Sequence, residues 1–140
     1  MRHFYIRAKI KATDNSPWKN KVTFGKNGTA RVPIGSVALD FKDDELVFSY
    51  SLLSVGDNFK YNTAKNICRG RLVKGDSFYL DPYEFKKSLD EVNTHNIFKL
   101  INIHHKYLKW VDPELFVISA RACFKKLCLD KGIDYNKYNT

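Results

Sequence analysis

The sequence predicts an α+β domain: an N-terminal antiparallel sheet of about five strands followed by three or four helices. Three observations lead there. Apolar and polar residues alternate with a period of two through the first third of the chain. Two Asp-Pro steps, Asp81-Pro82 and Asp112-Pro113, each open a stretch whose apolar residues recur at helical spacing. A chain of 140 residues with 44% apolar content fills one hydrophobic core and is too short for two comfortable ones.

Phe4, Ile6, Ala8 and Ile10 alternate with Tyr5, Arg7, Lys9 and Lys11, the pattern of a first strand. Asp14-Asn15-Ser16-Pro17 carries loop chemistry. Val22 and Phe24, alternating with Lys21 and Thr23, predict a second strand. Asn27-Gly28, both tolerant of positive φ, predicts a hairpin into a third strand through Ala30 and Val32. Pro33 and Gly35 are expected to end it. Val37, Leu39 and Phe41 give a fourth strand. Past the Asp43-Asp44 turn, Leu46, Phe48 and Tyr50 give a fifth within Glu45 to Leu53. Short turns between consecutive strands imply antiparallel pairing.

The pattern then becomes helical. Ala64, Ile67 and Cys68 share a face over Lys60 to Arg69, with Gly70 expected at C′. Leu72-Val73 and Phe78 to Leu80 predict a short strand pair around Lys74-Gly75-Asp76. Asp81 caps a second helix striped by Phe85, Leu89 and Val92. Ile97 to Leu108 fits either a helix or a hairpin, with the helix preferred. Phe116, Ala120, Cys123, Phe124 and Leu127 stripe a last helix ending near Leu129, with Gly132 beyond. Residues 1–133 read as one domain without repeat or linker, and 134–140 as a polar, flexible tail.

The chain carries 24 Lys and Arg against 15 Asp and Glu, a formal charge of +9, which favours phosphate-bearing partners and salt-sensitive encounter with them. Eighteen of the 24 cations are lysine and asparagine is frequent, a usage common in AT-rich phage genes. Cys68, Cys123 and Cys128 are odd in number and form no CxxC pair, which suits a reducing compartment. Met1 to Ile10 lacks the apolar run of a secretory signal, and no run approaches a membrane span. The expectation is a cytoplasmic protein, in the host cell if phage-encoded, with no membrane partner.

Charge is segregated. Residues 1–35 hold eight basic groups and one acid, 36–58 one base and five acids, and 59–75 five bases and no acid. Lys65 and Arg69, four apart, share one helix side, and Arg71 follows Gly70 where the chain is expected to turn. Arginine's fixed donors match phosphate oxygens. Phe59 and Tyr61 are placed to stack on a base. The alternative role for Lys65 and Arg69 is to complement the helix C-terminus. Arg121 and Lys125 flank the last apolar stripe, where Arg121 either lies over the core or closes a pocket. Arg7, Lys9, Lys21 and Arg31 form a sheet-face set suited to single-stranded nucleic acid, or simply a solvated face.

Catalytic signals are weak. Adjacent His104 and His105 point about 100° apart on a helix. Cys123-x4-Cys128 is not a usual zinc spacing. Ser88, Asp90 and His95 follow no triad order, and no GxSxG, GxGxxG or phosphate-loop motif is present. The expectation is a non-enzyme without metal or cofactor.

The stretch from Phe48 to Phe59, followed by Ala64, Ile67 and Gly70-Arg71-Leu72, resembles small phage proteins of the Thoeris anti-defence sponge family. The resemblance implies an antiparallel sheet followed by helices, and sequestration of a cyclic-nucleotide immune signal without cleavage. Through the Gly-Arg step it carries over Arg71 as a phosphate contact. The segment after Leu80 has no counterpart in it. The expected function is therefore nucleotide-signal binding in phage counter-defence, with possible homo-oligomerisation. The rivals are a nucleic-acid-binding regulator and an inhibitor docking on an acidic host protein.

Overall fold

A computed structural model describes residues 1–52, 60–101 and 108–139. Four strands, β1 (Arg2–Lys11), β2 (Thr29–Lys42), β3 (Glu45–Leu52) and β4 (Phe78–Leu80), form one antiparallel sheet in sequential order. Between β3 and β4 comes α1 (Tyr61–Val73). After β4 follow α2 (Pro82–Asp90), α3 (Thr94–Ile101) and α4 (Pro113–Lys131). The fold is α+β. Among the described residues no helix is long and apolar enough to cross a membrane.

Among the described residues the five strands expected before α1 become three, with β4 as the fourth of the sheet, for two reasons. Val22 and Phe24 form no strand; they pack, partly buried, against the core from the loop joining β1 to β2. Asn27-Gly28 closes that loop at the foot of β2, with Gly28 at φ +72° and the Thr29 N–H donating to Asn27 Oδ1 at 3.2 Å. Further on, Pro33 and Gly35 do not break the chain. The register shifts between Ile6 and Arg7, which face Gly35 and Pro33, so Ile34 is absorbed as a bulge and β2 runs unbroken.

Helix α1 also differs from expectation. It passes through Gly70 and ends at Val73, with Lys74 as C-cap and Gly75 beyond it at φ +79°. The Asp76 and Gly75 N–H groups donate to the Arg71 and Leu72 carbonyls at 2.9 and 3.2 Å, a Schellman closure. Leu72 and Val73 are therefore helical, and β4 pairs with β3 instead. The Asp-Pro starts are as expected: Asp81 accepts from the Tyr83 N–H and Asp112 from the Leu115 N–H. Residues 102–107, with His104 and His105, lie outside the described residues.

The sheet is covered on both faces. Phe4, Ile6, Ile34, Leu39, Leu46, Phe48 and Leu80 bury against Phe85, Leu89, Ile97, Phe116, Phe124 and Leu127 of the α2–α4 layer. On the other face α1 lays Cys68 and Leu72 on Ala38 and Val47. Serines dock it: Ser51 Oγ donates to the Ala64 carbonyl at 3.1 Å, and Ser49 Oγ to that of Cys68. The C-terminal stretch expected as a loose tail is a packed 3-10 turn, Tyr135–Tyr138, because Tyr138 finds a slot beside Phe41, Tyr83 and Phe124.

A candidate anion-binding cleft

Strand β1 is an edge strand, and its side chains alternate between the two faces. Phe4, Ile6 and Ala8 enter the core, so His3, Tyr5 and Arg7 stand on the face that carries α1. The serine contacts fix α1 on that face. Residues 61, 65 and 69 then share one side of the helix at i, i+4 and i+8 spacing. The Tyr61 ring meets the Tyr5 ring edge-on at 4.8 Å, and Tyr5 meets His3 edge-on at 5.3 Å.

Between α1, the β1 edge and α4 lies a cleft of about 590 Å³. Its walls include Arg2, His3, Tyr5 and Arg7 from β1, Lys65 and Arg69 from α1, and Lys126 and Asp130 from α4. Ligand sites commonly span about 300–1,000 Å³. Five permanent cations face the cleft, and among its described lining residues Asp130 is the only carboxylate. That carboxylate is already engaged: Arg2 Nε and Nη2 donate to its two oxygens at 2.7 and 2.8 Å. The Arg2 hydrogen bond holds the Asp130 carboxyl below its usual range, and the Asp130 hydrogen bond raises Arg2.

His3 is half-buried, and its imidazole is pushed below the ordinary histidine value first by burial, then by the charges of Lys65 and Arg69. Cys123 also lines the wall, but burial pushes its thiol up to about 12, so it is neutral and a poor nucleophile. Among the described lining residues, Arg7, Lys65, Arg69 and Lys126 then outnumber the carboxylates, a set of donors that can hold and orient an anion.

The residues singled out from sequence divide sharply. Lys65 and Arg69 line the cleft together with Arg7, which joins them from the sheet-face set. Tyr61 stands beside it through Tyr5. Arg71 does not line it: its exposed guanidinium donates to the Tyr50 carbonyl. Arg121 bridges α4 to α2 through the Leu89 carbonyl, and Lys125 sits over the Tyr135 ring at 5.3 Å; both lie away from the cleft. Lys9 and Arg31 line a smaller hollow of about 260 Å³, and Arg31 is paired with Asp112 at 2.8 Å. Lys21 is exposed in the β1–β2 loop. Phe59 lies outside the described residues. The cleft adds Arg2, His3 and Lys126. His3 could have been found from the alternation that placed Tyr5 and Arg7, whereas Arg2 and Lys126 line one cleft only because α4 packs beside β1.

No family model, no curated protein and no solved structure matches the chain.

Proposed function

We propose that the protein binds a phosphate-bearing nucleotide in the α1–β1–α4 cleft and holds it without chemistry, as a sequestering protein of phage counter-defence acting in the host cytoplasm. The observation that supports this is the convergence of Arg7, Lys65 and Arg69 with Arg2 and Lys126 on one cleft whose carboxylate is already paired. The guanidinium groups provide phosphate donors, and the Tyr5–Tyr61 pair offers aromatic surface for a base. The resemblance to the Thoeris anti-defence sponges suggests a cyclic nucleotide as the ligand, although the one contact it carries over, Arg71, stands outside this cleft.

Calorimetry against a panel of cyclic nucleotides tests the reading. Removing a charged hydrogen bond costs about 1.5–3 kcal/mol, so Arg69→Ala and Lys65→Ala should each weaken binding roughly tenfold or more. Arg71→Ala, outside the cleft, should bind like wild type. Folded protein that takes up none of the panel, or binding insensitive to Lys65 and Arg69, refutes it.

A second reading is favoured by one observation. Lys9 pairs with Arg31 across the ladder two residues beyond Arg7, extending the basic surface along the sheet. A single strand of nucleic acid would follow such a track, and its affinity would fall steeply between about 50 and 200 mM salt. A flat salt response eliminates it.

A further inference from the structure

His3 occupies a particular place in the cleft. It stands on β1 opposite Ala38, its ring edge-on to Tyr5, in the cleft wall shared with Lys65 and Arg69 of α1. Histidine is the side chain whose ordinary titration falls between about pH 5 and 8. With the cleft empty, protonating His3 adds a further positive charge to a cluster of them. With a phosphodiester seated among those cations, the same proton is attracted. The imidazolium then becomes a donor with two N–H groups.

Resting on the cleft reading above, we propose that His3 is a ligand-contacting residue whose protonation accompanies binding of a phosphodiester anion between Arg7, Lys65 and Arg69, so that the cleft takes up ligand and proton together. The surrounding charges are consistent with this. On β1, Arg2 is tied to Asp130, and Arg7 faces the cleft. On β2, Asp40 is engaged by the Met1 amino group and Lys131, each at 3.7 Å. On α4, Cys123 is neutral, Lys126 adds positive charge, and Asp130 is spent on Arg2. On α1, Lys65 and Arg69 oppose the proton until an anion screens them. The imidazole is already held below its usual value by burial and by these two cations.

The sign follows from that direction. The free-state value lies below the ordinary value of about 6.5, and a bound anion raises it. Binding therefore tightens as pH falls through the interval between the bound and free values. At full one-proton linkage the change approaches about tenfold per pH unit. Below the free value the gain stops.

Two probes keep their phosphodiester charge throughout this range: a cyclic dinucleotide and a single-stranded oligothymidylate. They share the ligand chemistry and separate its two sources. Affinities would be measured from pH 5 to 8 for wild type, Lys65→Ala, His3→Gln and His3→Asn, with proton uptake read from calorimetry in buffers of different ionisation heat. Imidazole proton resonances would be followed with and without saturating probe. The proposal expects wild-type affinity for at least one probe to rise as pH falls, with proton uptake. It expects the His3 midpoint to move up on binding, and both His3 variants to bind with a flat pH profile. An unmoved His3 midpoint at saturation, or a wild-type pH slope retained in either His3 variant, overturns the proposal while leaving the cleft standing. If neither probe binds at any pH, or if Lys65→Ala binds both as wild type does, the cleft reading falls and this inference falls with it.

Discussion

Gly35 lies opposite Leu52 in β3 and Ile6 in β1, where a Cβ would fall 2.5 Å from the Ser51 carbonyl oxygen and 2.8 Å from Leu52 Cδ2. The first neighbour is main chain and cannot step aside. Gly35→Ala should destabilise the protein by about 1–3 kcal/mol as an overpacking defect, read as a lower denaturant midpoint at unchanged slope. An alanine variant as stable as wild type would show that the strands part freely here. In sequence the same glycine, two residues after Pro33, reads as a strand end, because glycine marks both turns and close approaches. The site cations show a similar split in legibility. Period-two alternation gathers His3, Tyr5 and Arg7, and helical spacing gathers Lys65 and Arg69, so the β1 and α1 walls of the cleft can be read from the chain, whereas the α4 wall comes from packing. Arg71 cannot be placed that way. Gly70 is inside α1, so two helical steps of about 100° swing Arg71 to the far side from Arg69.

At the scale of elements, sequence signals succeed where a local bond fixes the boundary. Asp81 and Asp112 each cap a helix through their own carboxylates, and Pro supplies N1. They fail where two signals compete: Gly70 reads as a helix stop and Gly75 as a hairpin turn, but Leu72 of α1 is buried with Ala38 and Val47 of the sheet and the helix runs on to Val73. Asp112 also joins elements. It is 4% exposed, accepts from Arg31 Nε at 2.8 Å and caps α4. Burial pushes its carboxyl up, but hydrogen bonds from Arg31 and the Leu115 N–H, with the charges of Arg31 and Lys9, outweigh burial and hold it below the usual value. A depressed folded-state pKa gives stability that is present above the unfolded value of about 3.9 and lost as pH falls through the folded one. Asp112→Asn keeps a cap and removes the charge. Its urea midpoint should therefore lie below wild type at pH 7, and the difference should shrink on acidification below the ordinary carboxylate range. A gap that stays constant into acid would assign the loss to packing instead.

At the scale of the molecule, the sheet separates a large core under α2–α4 from a small one under α1, and the basic cleft opens beside the β1 edge between these layers. Polarity in sequence does not reveal how the chain ends, because one aromatic residue decides it. Tyr138 is 3% exposed, stacked on Phe41 of β2 and edge-on to Tyr83 of α2, with Phe124 of α4 alongside. Lys86 strengthens the closure: its buried ammonium reaches Asp90 at 2.6 Å, Asn139 Oδ1, and the Tyr135 ring at 4.7 Å. Because Tyr138 touches sheet and two helices at once, its loss should act on the whole cooperative unit. Tyr138→Ala is expected to cost about 3–5 kcal/mol, as for other buried aromatic truncations, with Tyr138→Phe close to wild type. Thermal unfolding of the two variants reads this directly. If residues 134–139 instead detach without affecting the core, Tyr138→Ala would melt with wild type and amide protons of this turn alone would lose protection. Equal melting of both variants and wild type would therefore restore the picture of a loose tail.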